Sequence, residues 1–400
     1  MKPRIYFLDH LRTFSIFLVI LLHSGLVYER VLEYNWIVVD PAKNDSIGLV
    51  RMYLDLFVMY TIFFVSGYFI PASVAGKRTI DFLKSKFKRI LGPWLIAVFT
   101  LIPIYKFLFL YSRGWPQEAW YSYFHLFHRA GADPGVFSND PNQNWLWFLP
   151  VLFLFQVVYL VLAKFQLLRW NISIRTGVIS MLVLSVGYSM LISNAGLTGW
   201  SHSGFLEFQR ERFVPYFLIF LLGALCKQKD VFTGKKNMKL YIIANVVLTL
   251  SLGIFTAVAL NLFFNLITPG RNYFFVSDTI DRLAYYVTAL TSMLSLLYVL
   301  LHTFRFSFNK TNGLMKVLNK NSYAVYIIHV IVLGGIALML RPLAVPVMVK
   351  YLLLTILTFT VSNLLVSGYR KLVRKKESRG GDEGVESLEE TAELSASSSR

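Results

Sequence analysis

The first apolar stretch of the chain runs from Leu11 to Val27 and is long enough to cross a membrane. A spanning helix needs about 20 residues that are mostly apolar. Within lipid, a helix is the conformation that pairs every backbone group internally. The polar positions that interrupt the stretch are Arg12, Thr13, Ser15, His23 and Ser24. The pattern therefore predicts a membrane helix with polar side chains towards both of its ends.

The same pattern recurs along the chain and predicts an all-α, polytopic membrane protein with about ten transmembrane helices. The predicted spans are residues 11–28, 50–71, 90–110, 145–163, 176–193, 213–226, 240–263, 282–302, 322–341 and 346–369. The sixth span is short, so we expect its helix to include residues before Phe213.

Ten spans place both termini on the same side of the membrane. More than two thirds of the 40 lysines and arginines lie in the segments on that side. Because cytoplasmic loops are rich in these residues, we expect both termini to be cytoplasmic, in a multi-pass protein of the inner (plasma) membrane. Residues 1–369 would form the membrane domain. Residues 370–400, which are basic and then acidic and Ser-rich, would form a disordered cytoplasmic tail.

Composition supports this class and excludes others. The 400 residues are 56% hydrophobic, whereas soluble domains are about 45–50% apolar. The net charge of +18 comes from basic residues that flank the apolar spans. They do not form one basic domain, so we expect the lipid bilayer as a partner and no nucleic acid. A single cysteine, Cys226, excludes an intrachain disulfide framework.

Two charged positions share one face of the first predicted helix. Arg12 and His23 are eleven residues apart, which is about three full turns and about 16 Å along the axis. Asp9 precedes Arg12 by three residues and can pair with it. A histidine in a membrane helix faces a cavity or a polar partner. A purely structural hydrogen bond is the alternative, but the shared face with Arg12 and Asp9 favours a functional role.

Two further spans carry polar groups at helical spacing. In the ninth span, Ser322, Tyr326 and His329 share a face. The second span ends in the sequence FFVSGYF, where Ser66 can form a local hydrogen bond and Gly67 permits close approach of another backbone.

A basic segment precedes the third span. Lys86, Lys88 and Arg89 alternate with apolar residues in the sequence KSKFKRILGP. This pattern predicts an amphipathic cytoplasmic segment that runs into the membrane. It fits either an anchor for lipid headgroups or a clamp for a phosphorylated ligand.

The opposite side of the membrane has candidate recognition residues. Trp115 and Trp120 lie in the long loop 111–144, where aromatic side chains suit sugar stacking as well as an interfacial belt. Arg210 and Arg212 precede the sixth span, and either form a charge ladder with Glu207 or meet an anionic group of a glycan. The same loop contains two histidines, His125 and His128, three residues apart. No third metal ligand is evident, so we predict no metal site.

The motifs at the two ends of the chain resemble those of the acyltransferase 3 family of integral-membrane acyltransferases. Arg12, ten residues and His23, after the lead-in YFLDHLR, resemble the family's Arg/Lys-x10-His signature. The stretch SYAVYIIH, which ends at His329, is similar to the family's Ser-Tyr-x-x-Tyr-x-x-His. The resemblance covers roughly residues 4–369. The sequence from Trp147 to Leu149, with Gln156 in place of a glutamate, resembles the glucan succinyltransferase type.

This resemblance implies an acyl-CoA-dependent O-acyltransferase that acts on a periplasmic or cell-surface carbohydrate. The acyl group would be acetyl or succinyl, with acyl-CoA as co-substrate, a carbohydrate acceptor as partner and no tightly bound cofactor. The roles that it implies fall into four groups. Catalysis would use His23, Arg12 and His329; the donor would meet Lys86, Lys88 and Arg89; Asp9, Ser66 and Tyr326 would support them; and the acceptor would meet Trp115, Trp120, Arg210 and Arg212.

Neutral imidazole accepts a proton well near neutral pH, so His23 is the expected base for a sugar hydroxyl that attacks a thioester. Tyr326 and His329 would orient His23 or stabilise the oxyanion. Direct transfer and a covalent acyl-histidine relay both remain open. Two other functions also remain open. One is a secondary transporter of an anionic small molecule that uses His23 and Arg12, and the other is a non-catalytic component of a glycan assembly complex.

Overall fold

The computed structural model describes residues 5–30, 36–117, 143–167, 172–202 and 206–397, with side chains up to residue 373. The described chain is helical almost throughout. Its α-helices are α1 (Tyr6–Gly25), α2 (Ser46–Val74), α3 (Thr79–Lys86), α4 (Gly92–Arg113), α5 (Phe148–Lys164), α6 (Ile174–Asn194), α7 (Arg210–Gln228), α8 (Met238–Ile267), α9 (Asp278–Ser307), α10 (Gly313–Leu340) and α11 (Val347–Ser397).

Short elements join these helices. A π-helical turn, Phe87–Leu91, connects α3 to α4, and 3-10 turns lie at Asn144–Trp147 and Val231–Thr233. Strands β1 (Trp200–His202) and β2 (Glu207–Gln209) form an antiparallel hairpin between α6 and α7.

Each of the ten predicted spans falls largely within one of these helices, which confirms the all-α, polytopic architecture. Nine helical segments of the described chain are long and apolar enough to cross a membrane. Helix α7 contains the sixth predicted span and begins at Arg210, before Phe213 as expected. Three charged residues in its first turn, Arg210, Glu211 and Arg212, make it less apolar than the other spans.

Helices α2 and α7 pack together closely because each presents a glycine to the other's backbone. A Cβ atom at Gly67 would overlap the carbonyl oxygen of Phe220. A Cβ atom at Gly223 would overlap the carbonyl oxygen of Phe64. Small residues allow this kind of approach between membrane helices. The expected role of Gly67 is therefore confirmed, and its partner helix is α7.

Helices α1 and α10 run parallel and are joined by side-chain hydrogen bonds at two levels. Near the start of both helices, Thr13 Oγ1 donates to Asn319 Oδ1 over 2.7 Å, and His10 Nδ1 lies 2.9 Å from Asn319 Nδ2. Further along, His23 contacts His329. Two levels of contact fix the register of the helices, so the face of α1 that carries both Arg12 and His23 is turned towards α10.

A buried ion pair holds the connection between α1 and α2 against α11. Lys350 Nζ lies 2.9 Å from Asp40 Oδ2 and also donates to the carbonyl oxygen of Arg341 over 3.0 Å. Within the same connection, Trp36, Ile37 and Val38 are buried. Residues 36–40 of the connection therefore pack into the protein over the end of α1.

The last helix differs from the prediction. Disorder is the expectation after Tyr369, whereas α11 continues to Ser397. Residues with a strong helical preference, mainly Glu, Arg, Lys and Leu, make up about half of this tail. The division of the chain at residue 370 into a membrane domain and a tail stays a prediction.

The glycine contact yields a first prediction. Gly67→Ala and Gly223→Ala should each lower the thermal midpoint of the purified protein in detergent, because overpacking costs about 1–3 kcal/mol. Gly253→Ala on α8 is the matched control, since a Cβ atom added there would meet nothing within 4 Å. Alanine favours a helix over glycine by about 1 kcal/mol, so the control should not lower the midpoint. Equal midpoints for all three variants would contradict the close approach.

Candidate active site

The centre of the site is a pair of histidines that joins α1 to α10. His23 Nδ1 lies 2.8 Å from His329 Nε2, and the rings are nearly parallel at 14°. His329 Nδ1 lies 2.6 Å from the carbonyl oxygen of Tyr326 on the same helix. His329 is fully buried, whereas His23 is half-buried.

This chain of contacts assigns the protons when both rings are neutral. A carbonyl oxygen only accepts, so His329 Nδ1 must carry a proton and donate it to Tyr326. His329 Nε2 then has the lone pair and accepts from His23 Nδ1–H. The remaining nitrogen, His23 Nε2, is left with a lone pair. The arrangement therefore presents one basic nitrogen, held in a fixed tautomer and orientation.

The pair lies deep within the helix bundle. His329 is about 24 Å from the start of α10 and about 16 Å from its end, at 1.5 Å per residue. His23 stacks on Trp36, with ring centroids 5.0 Å apart. The buried connection between α1 and α2 thus covers the histidine pair from the side where α1 ends.

A second inserted segment approaches the pair from α5. Tyr326 donates its hydroxyl to the carbonyl oxygen of Trp145. Trp145 Nε1 in turn donates to the carbonyl oxygen of Ile327 over 2.9 Å. These bonds hold the 3-10 turn Asn144–Trp147, which we call the tryptophan turn, against the middle of α10. Tyr326 thus anchors the tryptophan turn, and its expected role in orienting His23 or stabilising the oxyanion stays a prediction.

His23 opens into a cavity of about 340 Å³, which we call the histidine cavity. Four of the described tryptophans line it, together with Tyr326 and several groups that form hydrogen bonds. The tryptophans are Trp36, Trp145, Trp147 and Trp200, and the polar residues are Arg51, Asp55, Asn144, Glu207 and Gln209. Flat aromatic faces and convergent polar groups can hold a polar ring next to His23.

Glu207 does not belong to an exposed charge ladder on a helix, so that interpretation is wrong. It lies on strand β2 and is only 2% exposed. Its Oε1 accepts from the backbone N–H of Gln143 over 2.7 Å. Because the hairpin folds back over the bundle, Glu207 holds the start of the tryptophan turn beside the histidine cavity.

Asp55 and Arg212 form an ion pair of 2.6 Å between α2 and α7. Asp55 lines the histidine cavity, while Arg212 lines a second cavity of about 540 Å³. The sequence leaves two partners open for Arg212, which are Glu207 in a charge ladder and an anionic group of a glycan. In the structure its carboxylate partner is Asp55. The charges of Asp55 and Arg212 compensate each other between the two cavities, and contact of Arg212 with an acceptor stays a prediction.

Arg12 lies at the other end of α1 from the histidines. Its guanidinium is 3.2 Å from Asp9 Oδ1, as predicted, and donates to the carbonyl oxygen of Asn319 over 3.3 Å. Both Arg12 and His23 face α10, which confirms their shared face. The structure nevertheless separates them along α1, so Arg12 does not touch the reacting groups around His23.

The basic segment lies on a different part of the bundle. Lys86 Nζ is 5.3 Å from the centre of the Phe82 ring, and Lys88 and Arg89 are exposed. Helix α3 and the π-helical turn pack against α5, whereas α1 packs against α2, α9, α10 and α11. A joint role of this segment with Arg12 stays a prediction.

Several predicted site residues do not line the histidine cavity. Ser66 is about 16 Å along α2 from Asp55. Trp115 packs edge-on against Phe109, and Arg210 accepts at its backbone oxygen from the hydroxyl of Tyr188. None of these three residues is in contact with His23 or His329. Trp120 lies outside the described residues. The two histidines of the same loop, which the metal prediction concerns, also lie outside them.

The cavity tryptophans and Glu207 are not among the site residues predicted from the sequence. Trp145 and Trp147 follow a readable signal, since two tryptophans at i and i+2 open an apolar span. Trp36 and Trp200 have no such pattern. Within the described ranges, no group of three His, Cys, Asp or Glu residues can hold a metal ion.

The spans and the buried imidazole pair define a multi-pass membrane protein with a site equipped for proton transfer. A sequence model of the acyltransferase 3 family, described as an acyltransferase domain, matches residues 5–366. The chain therefore belongs to this family of membrane acyltransferases. No curated protein and no solved structure matches the chain.

The contact between Glu207 and Gln143 yields a second prediction. Glu207→Ala should leave a buried N–H without its acceptor, at a cost of about 1–3 kcal/mol, and should release the tryptophan turn. Glu207→Gln keeps an oxygen acceptor and should retain most of the stability. Thermal unfolding followed by tryptophan fluorescence measures both. An alanine variant as stable as the glutamine variant would contradict this role.

Proposed function

We propose that this acyltransferase moves an acetyl or succinyl group from acyl-CoA to a hydroxyl of a periplasmic or cell-surface glycan. We place it in the inner membrane, with both termini in the cytoplasm. The observation that carries the proposal is the chain from the Tyr326 carbonyl through His329 to His23, which leaves a basic nitrogen at an aromatic cavity.

In the proposed reaction, the glycan hydroxyl attacks the thioester carbonyl and gives its proton to His23 Nε2. The tetrahedral intermediate then expels the thiolate of CoA, which takes the proton from His23. An ester and free CoA result. His23 gains positive charge during this step, and the bond from its Nδ1–H to His329 becomes a charge-assisted hydrogen bond.

His329 acts as a positioning residue in this scheme. It holds His23 in one tautomer and orientation, as the aspartate does in hydrolase triads. The Tyr326 carbonyl fixes the tautomer of His329 in the same way. Both effects concern geometry, so His329 need not exchange a proton with substrate.

The histidine cavity is the proposed acceptor site. Its tryptophans suit the apolar faces of a sugar ring, and its carboxylates and amides suit the hydroxyls. This choice replaces Trp115 and Arg210, which do not line the cavity, as acceptor contacts. Acceptor specificity would then depend on Glu207 and Gln209, whose strand borders the cavity.

The donor is proposed to enter from the side where α1 and α10 begin. Arg12 stands there, about 16 Å along α1 from His23, and would meet the phosphates of CoA. Lys86, Lys88 and Arg89 would assist by raising the local positive charge. The pantetheine arm would extend between the helices and carry the thioester to the histidine pair.

Transfer could be direct or could pass through an acyl group on His23. In the relay, His23 Nε2 attacks the thioester, CoA leaves, and the sugar hydroxyl then takes the acyl group from the imidazole. The same lone pair serves both routes. The family match favours either route over the secondary transporter.

The third prediction concerns His23 itself. His23→Ala should reduce acylation of envelope and periplasmic glycans by about 10²–10⁴-fold, the usual cost of losing a general base. Cells that lack the protein are complemented with the wild type or the variant at matched membrane abundance. Mass spectrometry of their glycans reads out the acyl group, as acetyl or succinyl. Acylation that survives in His23→Ala would contradict the proposal.

The fourth prediction separates positioning by His329 from mere packing. His329→Gln places an amide oxygen near His23 Nδ1–H and should keep part of the activity, whereas His329→Ala should lose about tenfold to a hundredfold more. Rates are compared in membranes that contain equal amounts of folded protein. If both variants were equally inactive, the accepting bond would not be the function of His329.

A further inference from the structure

The larger of the two cavities has a graded lining that none of the assigned roles uses. It measures about 540 Å³ and lies between α2, α6, α7, α8 and α9. We call it the tyrosine cavity, after Tyr60, Tyr285 and Tyr286 in its wall. It adjoins the histidine cavity, because the Asp55–Arg212 pair stands between them.

Helix α9 shows the gradient along about 22 Å from Asp278 to Met293. Asp278 and Arg282 line the cavity near the start of the helix. Tyr285 and Tyr286 follow about one turn after Arg282. Beyond them the lining becomes apolar, with Ala289 and Met293. A ligand that fits must be polar at one end and apolar at the other.

Helices α6, α7 and α8 add polar residues near the ends that lie at the level of Asp278, namely Ser193, Glu211 and Asn265. Phe263 and Leu266 of α8 also line this end. Further inside, Leu56 and Ala259 extend the apolar lining, and Tyr60 adds one hydroxyl. The distance of about 22 Å from Asp278 to Met293 is comparable to one leaflet of a bilayer that is about 40–45 Å thick with its headgroup regions. The gradient therefore matches a lipid held in its natural orientation.

The cavity is open near the membrane surface on the side of α8. Leu266, one residue before the end of α8, lines the cavity and is 84% exposed. A residue at the end of a spanning helix lies at the level of the lipid headgroups. A lipid headgroup can therefore reach the polar end of the cavity without leaving the membrane.

The charges of the lining favour an uncharged, hydroxyl-rich headgroup over a phosphate. Both arginines of the lining are already bound to carboxylates, Arg212 to Asp55 over 2.6 Å and Arg282 to Asp278 over 2.7 Å. Tyrosine and serine hydroxyls complete the polar end. Hydroxyls and paired charges both donate and accept, as sugar hydroxyls require.

We propose that the tyrosine cavity binds a glycolipid, and that the acceptor glycan reaches His23 while it is attached to this lipid. The lipid chain lies against Ala289 and Met293, and the first sugars lie beside the tyrosines. The next sugars pass the Asp55–Arg212 pair into the histidine cavity. The link to His23 rests on the proposed acyltransferase function, whereas glycolipid binding does not.

Dodecyl maltoside, a disaccharide on an alkyl chain, is a suitable probe. The full-length protein is purified in dodecyldimethylamine oxide, and native mass spectrometry then measures binding of added dodecyl maltoside, dodecylphosphocholine and octaethylene glycol dodecyl ether. These probes share the alkyl chain and differ in the headgroup. The wild type should bind one maltoside about tenfold or more tightly than either other probe.

Ala289→Phe fills the apolar end of the cavity and should abolish the preference for maltoside. Val287→Phe is the matched control, because Val287 lies on the same helix and is 37% exposed outside the lining. If Ala289→Phe fails to fold, Tyr286→Phe removes a hydroxyl from the polar end and should reduce the preference by about tenfold. His23→Ala should bind maltoside as the wild type does.

Three results would overturn the proposal. Equal binding of all three probes would show no sugar recognition, and preferred binding of dodecylphosphocholine would indicate a phospholipid headgroup. A maltoside preference that persists in Ala289→Phe and Tyr286→Phe would place the ligand elsewhere. None of these results depends on acyl transfer. The catalytic role of His23 is tested separately, by mass spectrometry of the glycans.

Discussion

A polar side chain inside a membrane needs a polar partner. The hydrogen bond between His23 and His329 supplies this partner for a histidine on each of two helices. It joins α1 to α10 deep in the bundle, while Asn319 joins the same helices near their start. With the register fixed at both levels, the free nitrogen of His23 can point in only one direction. The position of the candidate base therefore follows from helix packing.

The elements around the pair complete the site from several directions. The connection after α1 supplies Trp36, the turn before α5 supplies Trp145, and the hairpin before α7 supplies Glu207. Each is held by buried polar contacts, such as Lys350 with Asp40. The glycine contacts bring α2 close to α7, so that Asp55 and Arg212 meet between the two cavities. Packing thus determines both the walls and the charge balance of the site.

The helical architecture was predictable because the signal for a spanning helix is local in sequence. Periodicity also placed Arg12 and His23 on one face of α1, and Tyr326 and His329 on one face of α10. In the structure Arg12 and His23 contact α10, His329 contacts α1, and Tyr326 contacts the tryptophan turn. The contact between the two faces was not predictable from spacing. It depends on which helices are neighbours and in what register they lie.

The missed residues share a physical reason. Trp36, Trp200 and Glu207 lie in segments between spans, and polar or aromatic residues there are equally common at a membrane surface. Only the packing of these segments against the spanning helices makes the three residues part of a cavity. The same holds for Asp55, whose partner Arg212 lies far along the chain. Charge at a helix end predicts a location near the surface, but not a partner.

The coupling between the two histidines tests the account most directly. Glycan acylation is measured in four strains, which carry the wild type, His23→Ala, His329→Gln or both substitutions at equal membrane abundance. If His329 acts through His23, the second substitution should change nothing once His23 is absent. Losses that multiply in the double variant would show that the two residues act independently, and would contradict the hydrogen-bonded chain as the basis of catalysis.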